Sequence, residues 1–292
     1  MKPVQHRRWQ LREVNADTVA RLAGERGLPP LVARLLAARG ISDPATAGCF
    51  LAPALADLHD PMLLLGMESA VARLAAAVAA GERICIYGDY DVDGITAVAL
   101  LVDFFRALNA DVCYYIPRRL DEGYGLSAVG IERIAAQGAN VIITVDCGIT
   151  AFAEAAFCAS LGIDLIITDH HMPGEALPQA LAVINPLQPG CSFPFKQLAG
   201  VGLAFNLAVA LRSRLRRTGF FTRGAEPDLR ASLDLVALGT VADIVPLVDE
   251  NRILVACGLR ELTQGTRTGL QALKKVAGVS GAVGSGAVGF RL

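Results

Sequence analysis

Three short apolar runs in this 292-residue chain each close on acidic or imidazole side chains: ICIYGDYDVDG at residues 84–94, VIITVDCG at 141–148 and DLIITDHHMP at 164–173. Unbroken, β-branched runs of this kind are how strands read when a parallel sheet is covered on both faces. Open α/β sheets gather their ligands at the carboxyl ends of the strands. The three acid-tipped strands therefore meet only if they lie side by side and point the same way. The pattern predicts a polar cleft, hungry for cations, at one edge of a parallel sheet.

Strand and helix alternate through ICIYG, ITAVALLVDFFRALNA, DVCYYIP, LSAVGIERIAAQG, NVIITVD, ITAFAEAAFCASLG and IDLIITD. This is the grammar of an α/β fold, a doubly wound and mostly parallel sheet flanked by helices. Residues 1–78 read differently, as a helical N-terminal region. In it LPPLVARLLAARGI has helical apolar spacing and stops at Gly40, and MESAVARLAAAVAAGE closes at Gly81. Two domains are expected, 1–78 and 79–292. Beyond LAVINP the alternation fades into helices: LAGVGLAFNLAVALRSRLRR is one, and SLDLVALGTVADIVPL is expected to form another that runs to Pro246. The last stretch, VAGVSGAVGSGAVGFRL, is rich in small residues and has no clear period. Its GSGAVG fits G-x-G-x-x-G, but with no strand before it and no clear helix after it, a dinucleotide site is rejected.

With 53% hydrophobic and 19% charged residues the chain is globular, and its net charge of −1 leaves any polyanionic substrate to be attracted by local patches. Seven cysteines without a CxxC pair fit reduced thiols, and a cytoplasmic protein is expected. The basic N-terminus has no apolar segment behind it, and no run reaches the ~18 apolar residues of a span, so neither signal peptide nor membrane partner is expected.

Asp89, Asp91 and Asp93 alternate along DYDVDG. Three carboxylates this close repel by roughly 4 kcal/mol per pair at 4 Å and an effective dielectric of 20, and a cation is the simplest remedy. An EF-hand also opens D-x-D-x-D-G, but its twelfth position should be Glu and is Leu100 here, after a strand. The plain alternative is that the acids cap the next helix; one could do so, three are in excess.

Asp146 ends the second run and alone could be a helix N-cap. Asp169, His170 and His171 end the third, and two adjacent histidines after an acid at the same sheet edge point to a site. His6 and His59 have no such setting and are expected at the surface. Asp243 interrupts the apolar VALGTVADIVPL, where an acid is expensive to bury unless paired or ion-bound; its alternative is a capping or turn role before Pro246. Oxygen-rich donors with one or two imidazoles favour Mn²⁺ or Mg²⁺ over structural zinc, and so many ligands suit two ions better than one. Paired ions of this kind hydrolyse phosphate esters.

The order DYDVDG, VDCG, DHH, GTVADIVPL resembles the DHH phosphoesterases, most nearly their bacterial members specific for single-stranded DNA. FLAPALADLHDPMLLLGMESAVARL, IPRRLDEGYGLS and LAGVGLAFNLAVAL extend the likeness over nearly the whole chain. The resemblance implies that Asp91 holds one metal and Asp93 the other, that Asp146 bridges them, and that His170 and Asp243 complete the shells. Asp89 would be a ligand or stand just behind one. His171 would act on the scissile phosphate beside catalytic Asp146. Arg118 would contact a substrate phosphate, with a solvated loop arginine as the alternative. The implied reaction is 5′-to-3′ exonucleolytic release of 5′-mononucleotides from single-stranded DNA, in repair and recombination. The implied partners are that DNA and a helicase or single-strand-binding protein, with the protein itself a monomer.

Family members continue past this region into a second lobe and an OB-fold, whereas this sequence stops at GFRL. A shortened product, inactive alone, is one expectation. A phosphodiesterase of short oligonucleotides or cyclic dinucleotides, or a non-catalytic scaffold for DNA or replication proteins, are the alternatives. RSRLRRTGFFTR (Arg212–Arg223) combines arginines with Phe220 and Phe221, as a strand-binding surface would. Complementing the dipole of a helix C-terminus explains the arginines more simply.

Overall fold

A computed structural model describes residues 10–120, 122–223 and 225–292. His6 lies outside these residues, as do the side chains of Thr222 and Arg223. The chain divides into two compact units, Met1–Ala54 and Leu55–Leu292. The first holds α1 (Ala16–Arg26), α2 (Pro30–Ala38) and α3 (Pro44–Leu51) around Leu22, Ala33, Leu36 and Ala47. Asn15 and Asp43 cap α1 and α3 by accepting from the amides of Thr18 and Thr46.

In the second unit α4 (Met67–Ala80) precedes β1 (Ile84–Tyr87), α5 (Val92–Ala107), β2 (Val112–Tyr115), α6 (Ala128–Ala136), β3 (Val141–Val145), α7 (Phe152–Ser160), β4 (Asp164–Thr168) and β5 (Ala182–Ile184). There follow α8 (Gly200–Arg217), α9 (Leu233–Ala242), α10 (Asp249–Gln264), α11 (Thr268–Val276) and α12 (Ser285–Arg291). The sequence grouped α4 with the N-terminal helices. It instead buries Met67, Ala70, Val71, Leu74 and Ala77 in the core beneath the sheet, against α8 and β5, so the boundary between units falls before it.

Among the described residues five strands form one parallel sheet, in the order β2-β1-β3-β4-β5. Because side chains alternate between faces, each strand feeds two cores. Ile84, Ile86, Val141, Ile143, Val145 and Ile166 face α4, α5, α8 and α9. Cys85, Tyr87, Ile142, Leu165 and Ile167 face α6 and α7. Burial on both sides is why these strands read as unbroken apolar runs. Full burial of one such Ile or Leu is worth about 1.5–3 kcal/mol.

From β1 the chain moves out to β2, then returns to place β3 on the other flank of β1. That reversal opens a crevice at the carboxyl ends of β1 and β3, the place where sheets of this order bind ligands. Among the described residues no single helix is long and apolar enough to cross a membrane. The bent pair Leu55–Leu63 and Met67–Ala80 passes on length and composition together, but the buried face of α4 packs inside the protein.

Two local expectations fail. SLDLVALGTVADIVPL stays helical only to Ala242, because Ile244 takes φ 60° and turns the chain away before Pro246. SGAVGFR does form a short helix, α12, capped by Gly284, although no strand leads into it.

Candidate metal centre

Asp89, Asp91 and Asp93 run from the end of β1 into α5. Asp91 caps α5, its carboxylate accepting from the Gly94 amide at 3.0 Å, so the capping alternative holds for one acid of the three. Asp93 serves a different helix: Oδ2 accepts from the Gly200 amide at 2.6 Å and Oδ1 from Val201 at 2.8 Å. Two orphan donors at the N-terminus of α8 are thereby satisfied. Glycine is required where these backbones close up. A Cβ on Gly94 would stand 2.8 Å from the Asp89 amide nitrogen, and one on Gly200 would stand 2.8 Å from the Cβ of Asp146.

Asp146 follows β3 with φ 61°, a left-handed conformation that a non-glycine residue seldom takes and that costs about 1–3 kcal/mol. After β4, Asp169 is buried and wholly engaged by protein donors. Its Oδ2 accepts from the Ile149 amide at 2.9 Å, and its Oδ1 from the His171 amide at 3.1 Å and His171 Nδ1 at 2.7 Å. Burial would raise its pKa, but the bonds from His171 and Ile149 outweigh that and hold it low. Asp169 therefore orients His171. Asp243 is the C-cap of α9 and not an interior helical residue. A carboxylate at a helix C-terminus opposes the dipole, so it gains from a cation beside it.

These elements bring the donors together. Ligand atoms of Asp89, Asp91 and Asp146 lie within 4.8 Å of one another, as do those of Asp93, His170 and Asp243, and those of Asp146, His170 and His171. Asp146 and His170 each belong to two triplets, which is what two neighbouring ions with shared ligands need. His170 Nε2 stands 3.1 Å from Asp146 Oδ1, 3.7 Å from Asp243 Oδ2 and 3.8 Å from Asp93 Oδ2. Even the shortest of these is out of line for a hydrogen bond. Asp89 Oδ1, Asp146 Oδ1, His170 Nε2 and Asp243 Oδ2 are all buried without a hydrogen-bond partner. Each such atom costs roughly 1–3 kcal/mol, and a cation among them would offset the cost. The donor set fits divalent ions with a preference for oxygen.

The electrostatics agree. Burial first, then neighbouring acids, raises the carboxyls of Asp93 and Asp89. Burial likewise raises Asp146 and Asp243, against the pull of His170. Burial pushes the His170 imidazole down, but Asp146, Asp93 and Asp243 outweigh it and hold the ring above its ordinary value. Acids that resist ionisation around an over-basic imidazole mark a site short of positive charge.

Arg118 is exposed and lines a cavity of about 530 Å³ with Glu122, Ser127, Val129 and Arg133, a lining that includes none of the acid triplets. Its neighbour Arg119 instead lies 5.2 Å over the ring of Tyr90 and acts on the charge of Asp89. Tyr124, which the sequence does not single out, adjoins the site: its hydroxyl donates to the Asp146 carbonyl at 3.3 Å, and its ring meets His171 edge-on at 6.3 Å. Its one sequence signal was the flanking glycines, Gly123 and Gly125, both at positive φ. His59 is half-buried, not a free surface residue, with Nε2 2.9 Å from Asp249 and its amide donating to Glu250. Three arginines of the basic segment are held in ion pairs, Arg212 and Arg216 with Glu226 and Arg214 with Glu68.

Residues 83–240 match the model of the DHH family, N-terminal domain. The single-stranded-DNA-specific exonuclease RecJ of Bacillus subtilis (strain 168) is 43% identical over 98% of this chain and 35% of its own length. The protein of the same name from Escherichia coli (strain K12) is 45% identical over 92% of this chain and 46% of its own length. The chain thus spans less than half the length of these relatives. A crystal structure of RecJ in complex with Mn²⁺ from Thermus thermophilus superposes with a TM-score of 0.75 at 34% identity, over 95% of this chain and 38% of that one. A crystal structure of exonuclease RecJ bound to manganese gives 0.68 at 38% identity, over 78% and 55%.

Proposed function

This chain belongs to the DHH family, and from that premise we propose that it is the metal-binding part of an exonuclease specific for single-stranded DNA. It hydrolyses phosphodiester bonds from the 5′ end, releases 5′-mononucleotides and serves DNA repair and recombination. The observation that carries this reading is the convergence of Asp89, Asp91, Asp93, Asp146, His170 and Asp243 at one sheet edge, with four buried polar atoms left unpaired among them.

Asp91, Asp93, Asp146, His170 and Asp243 would hold two Mn²⁺ or Mg²⁺ ions, with Asp89 at the edge of the set. Ions held there supply Lewis acidity to a phosphate and make a water more acidic. The protein's own groups do the rest. The backbone amides of Gly200 and Val201 fix the Asp93 carboxylate. Asp169 accepts a hydrogen bond from His171 Nδ1–H and holds the imidazole above its ordinary pKa, which favours protonation at Nε2 and so a donor to a phosphate oxygen as negative charge builds. Tyr124 braces that ring from its edge.

Free thiols at all seven cysteines accord with a reducing compartment, and the cytoplasm is the proposed location. A helicase or single-strand-binding protein is the proposed partner of a monomer. Hydrolysis of short oligonucleotides is a second reading, favoured by the ion pairs that occupy Arg212, Arg214 and Arg216 and keep them from a long strand.

The test is release of mononucleotides from 5′-labelled single strands by the purified chain with Mn²⁺. Single strands are expected to be cut in preference to duplex, and Asp146→Ala to reduce the rate at least about a hundredfold. Preference for dinucleotides would favour the second reading. Hydrolysis indifferent to Asp146→Ala would remove the first.

A further inference from the structure

Cys85 of β1 and Cys113 of β2 are partners in the parallel register. Residues paired in this way project to one face of the sheet. Both lie in the layer toward α6, with Cys113 packed against the cluster that contains Cys85. Neighbouring strands run about 4.8 Å apart, inside the ~4.4–6.8 Å Cα separation that a disulfide spans. The two thiols differ in access: β2 is an edge strand, Cys113 is half-buried, and Cys85 is 1% exposed. The neighbouring Cys85 thiol, helped by the Arg83 cation, holds the Cys113 thiol down at about 7, while the same neighbour and burial push Cys85 up. A partly exposed thiolate backed by a protonated thiol has the layout of an oxidation-prone cysteine with its resolving partner.

We propose that Cys113 and Cys85 form an oxidation site whose reactant is a hydroperoxide. The Cys113 thiolate attacks the terminal peroxide oxygen. The O–O bond breaks, the leaving oxygen departs protonated, and Cys113 becomes a sulfenic acid. The Cys85 sulfur then attacks the Cys113 sulfur. The S–O bond breaks, and the hydroxyl leaves as water with the Cys85 proton. With hydrogen peroxide, two thiols are oxidised to one disulfide and the peroxide is reduced to two waters. The sheet ladder holds the strands near their own spacing and keeps the Cβ atoms from closing to the ~3.8 Å of a relaxed disulfide, so the bond is strained and readily reduced. One oxidative event on the edge strand is thus trapped reversibly instead of advancing to sulfinic acid.

The test exposes the whole chain to equimolar hydrogen peroxide, blocks remaining thiols and maps tryptic peptides by mass spectrometry. Cys85 and Cys113 fall on separate peptides, residues 84–106 and 107–118. The expected result is a linked pair of these peptides, lighter by two hydrogen atoms and cleaved by dithiothreitol. Cys113 is expected to be consumed about fivefold faster than the similarly exposed Cys191 and Cys257. Cys85→Ala is expected to abolish the link and leave a sulfenic acid on Cys113 that dimedone captures. Should that variant fail to fold, the linked peptide in the unaltered chain decides the matter alone. Absence of that peptide, linkage of Cys113 to another cysteine, or consumption no faster than that of Cys191 and Cys257 overturns the proposal.

Discussion

Every carboxylate oxygen of Asp169 is engaged by protein donors, two of them on His171, so its loss is expected to appear in turnover and not in ion binding. Asp169→Asn should slow mononucleotide release by about 10–100-fold, with Mn²⁺ affinity measured by calorimetry unchanged; an equal loss of both would make Asp169 a ligand. Asp93 and Asp146 behave differently, because burial lifts their carboxyls to about 8 and about 6. Between about pH 4 and those values the folded chain binds more protons than the unfolded one, so its metal-free stability falls as pH rises. The raised His170 works in the same direction above about pH 6.5. Metal must displace these protons. The gain in Tm from saturating Mn²⁺ is therefore expected to grow from about pH 6 to about pH 8. Thermal melts with and without the ion check this, and a gain that shrinks over that range would contradict the assignment.

At the scale of elements, α8 is the part whose position the site depends on most, since its first amides grip Asp93 and Gly200 lies against Asp146. Gly200→Ala is expected to destabilise the chain by about 1–3 kcal/mol through overpacking and to lose most of the Mn²⁺-dependent rise in Tm. Denaturant titration would read the first effect, and a variant that kept the full rise would show that α8 can yield. The strands were legible because burial on both faces leaves an apolar run with acids at its end. The candidate metal ligands were legible for the same reason, at the ends of β1, β3 and β4. The exact end of α9 was not: Ala242, Asp243 and Ile244 continue an apolar helical text, and only the positive φ of Ile244 stops it. Arg118 and Arg119 are adjacent identical residues, and nothing in their order says which of them lies over Tyr90 and which lines the neighbouring cavity. The pairing of Arg212 and Arg216 with Glu226 depends on a chain reversal that leaves no periodic trace.

Across the whole molecule, the unit that bears the site is larger than the α/β alternation suggested, because α4 closes the core beneath the sheet. One sheet edge collects acids from β1, β3 and β4, and α9 adds the last from outside the sheet. The crevice between β1 and β3 exists only because the chain reverses direction there, so the triplets of donors are a property of the topology. The central claim is that this single chain assembles a two-ion centre in which Asp146 is shared. Calorimetric titration of the metal-free chain with Mn²⁺, with bound metal counted by elemental analysis, tests it most directly. Two ions per chain are predicted, falling to one or none in Asp146→Ala while the variant stays folded. One ion in the unaltered chain, or two ions bound with undiminished affinity in Asp146→Ala, would contradict it.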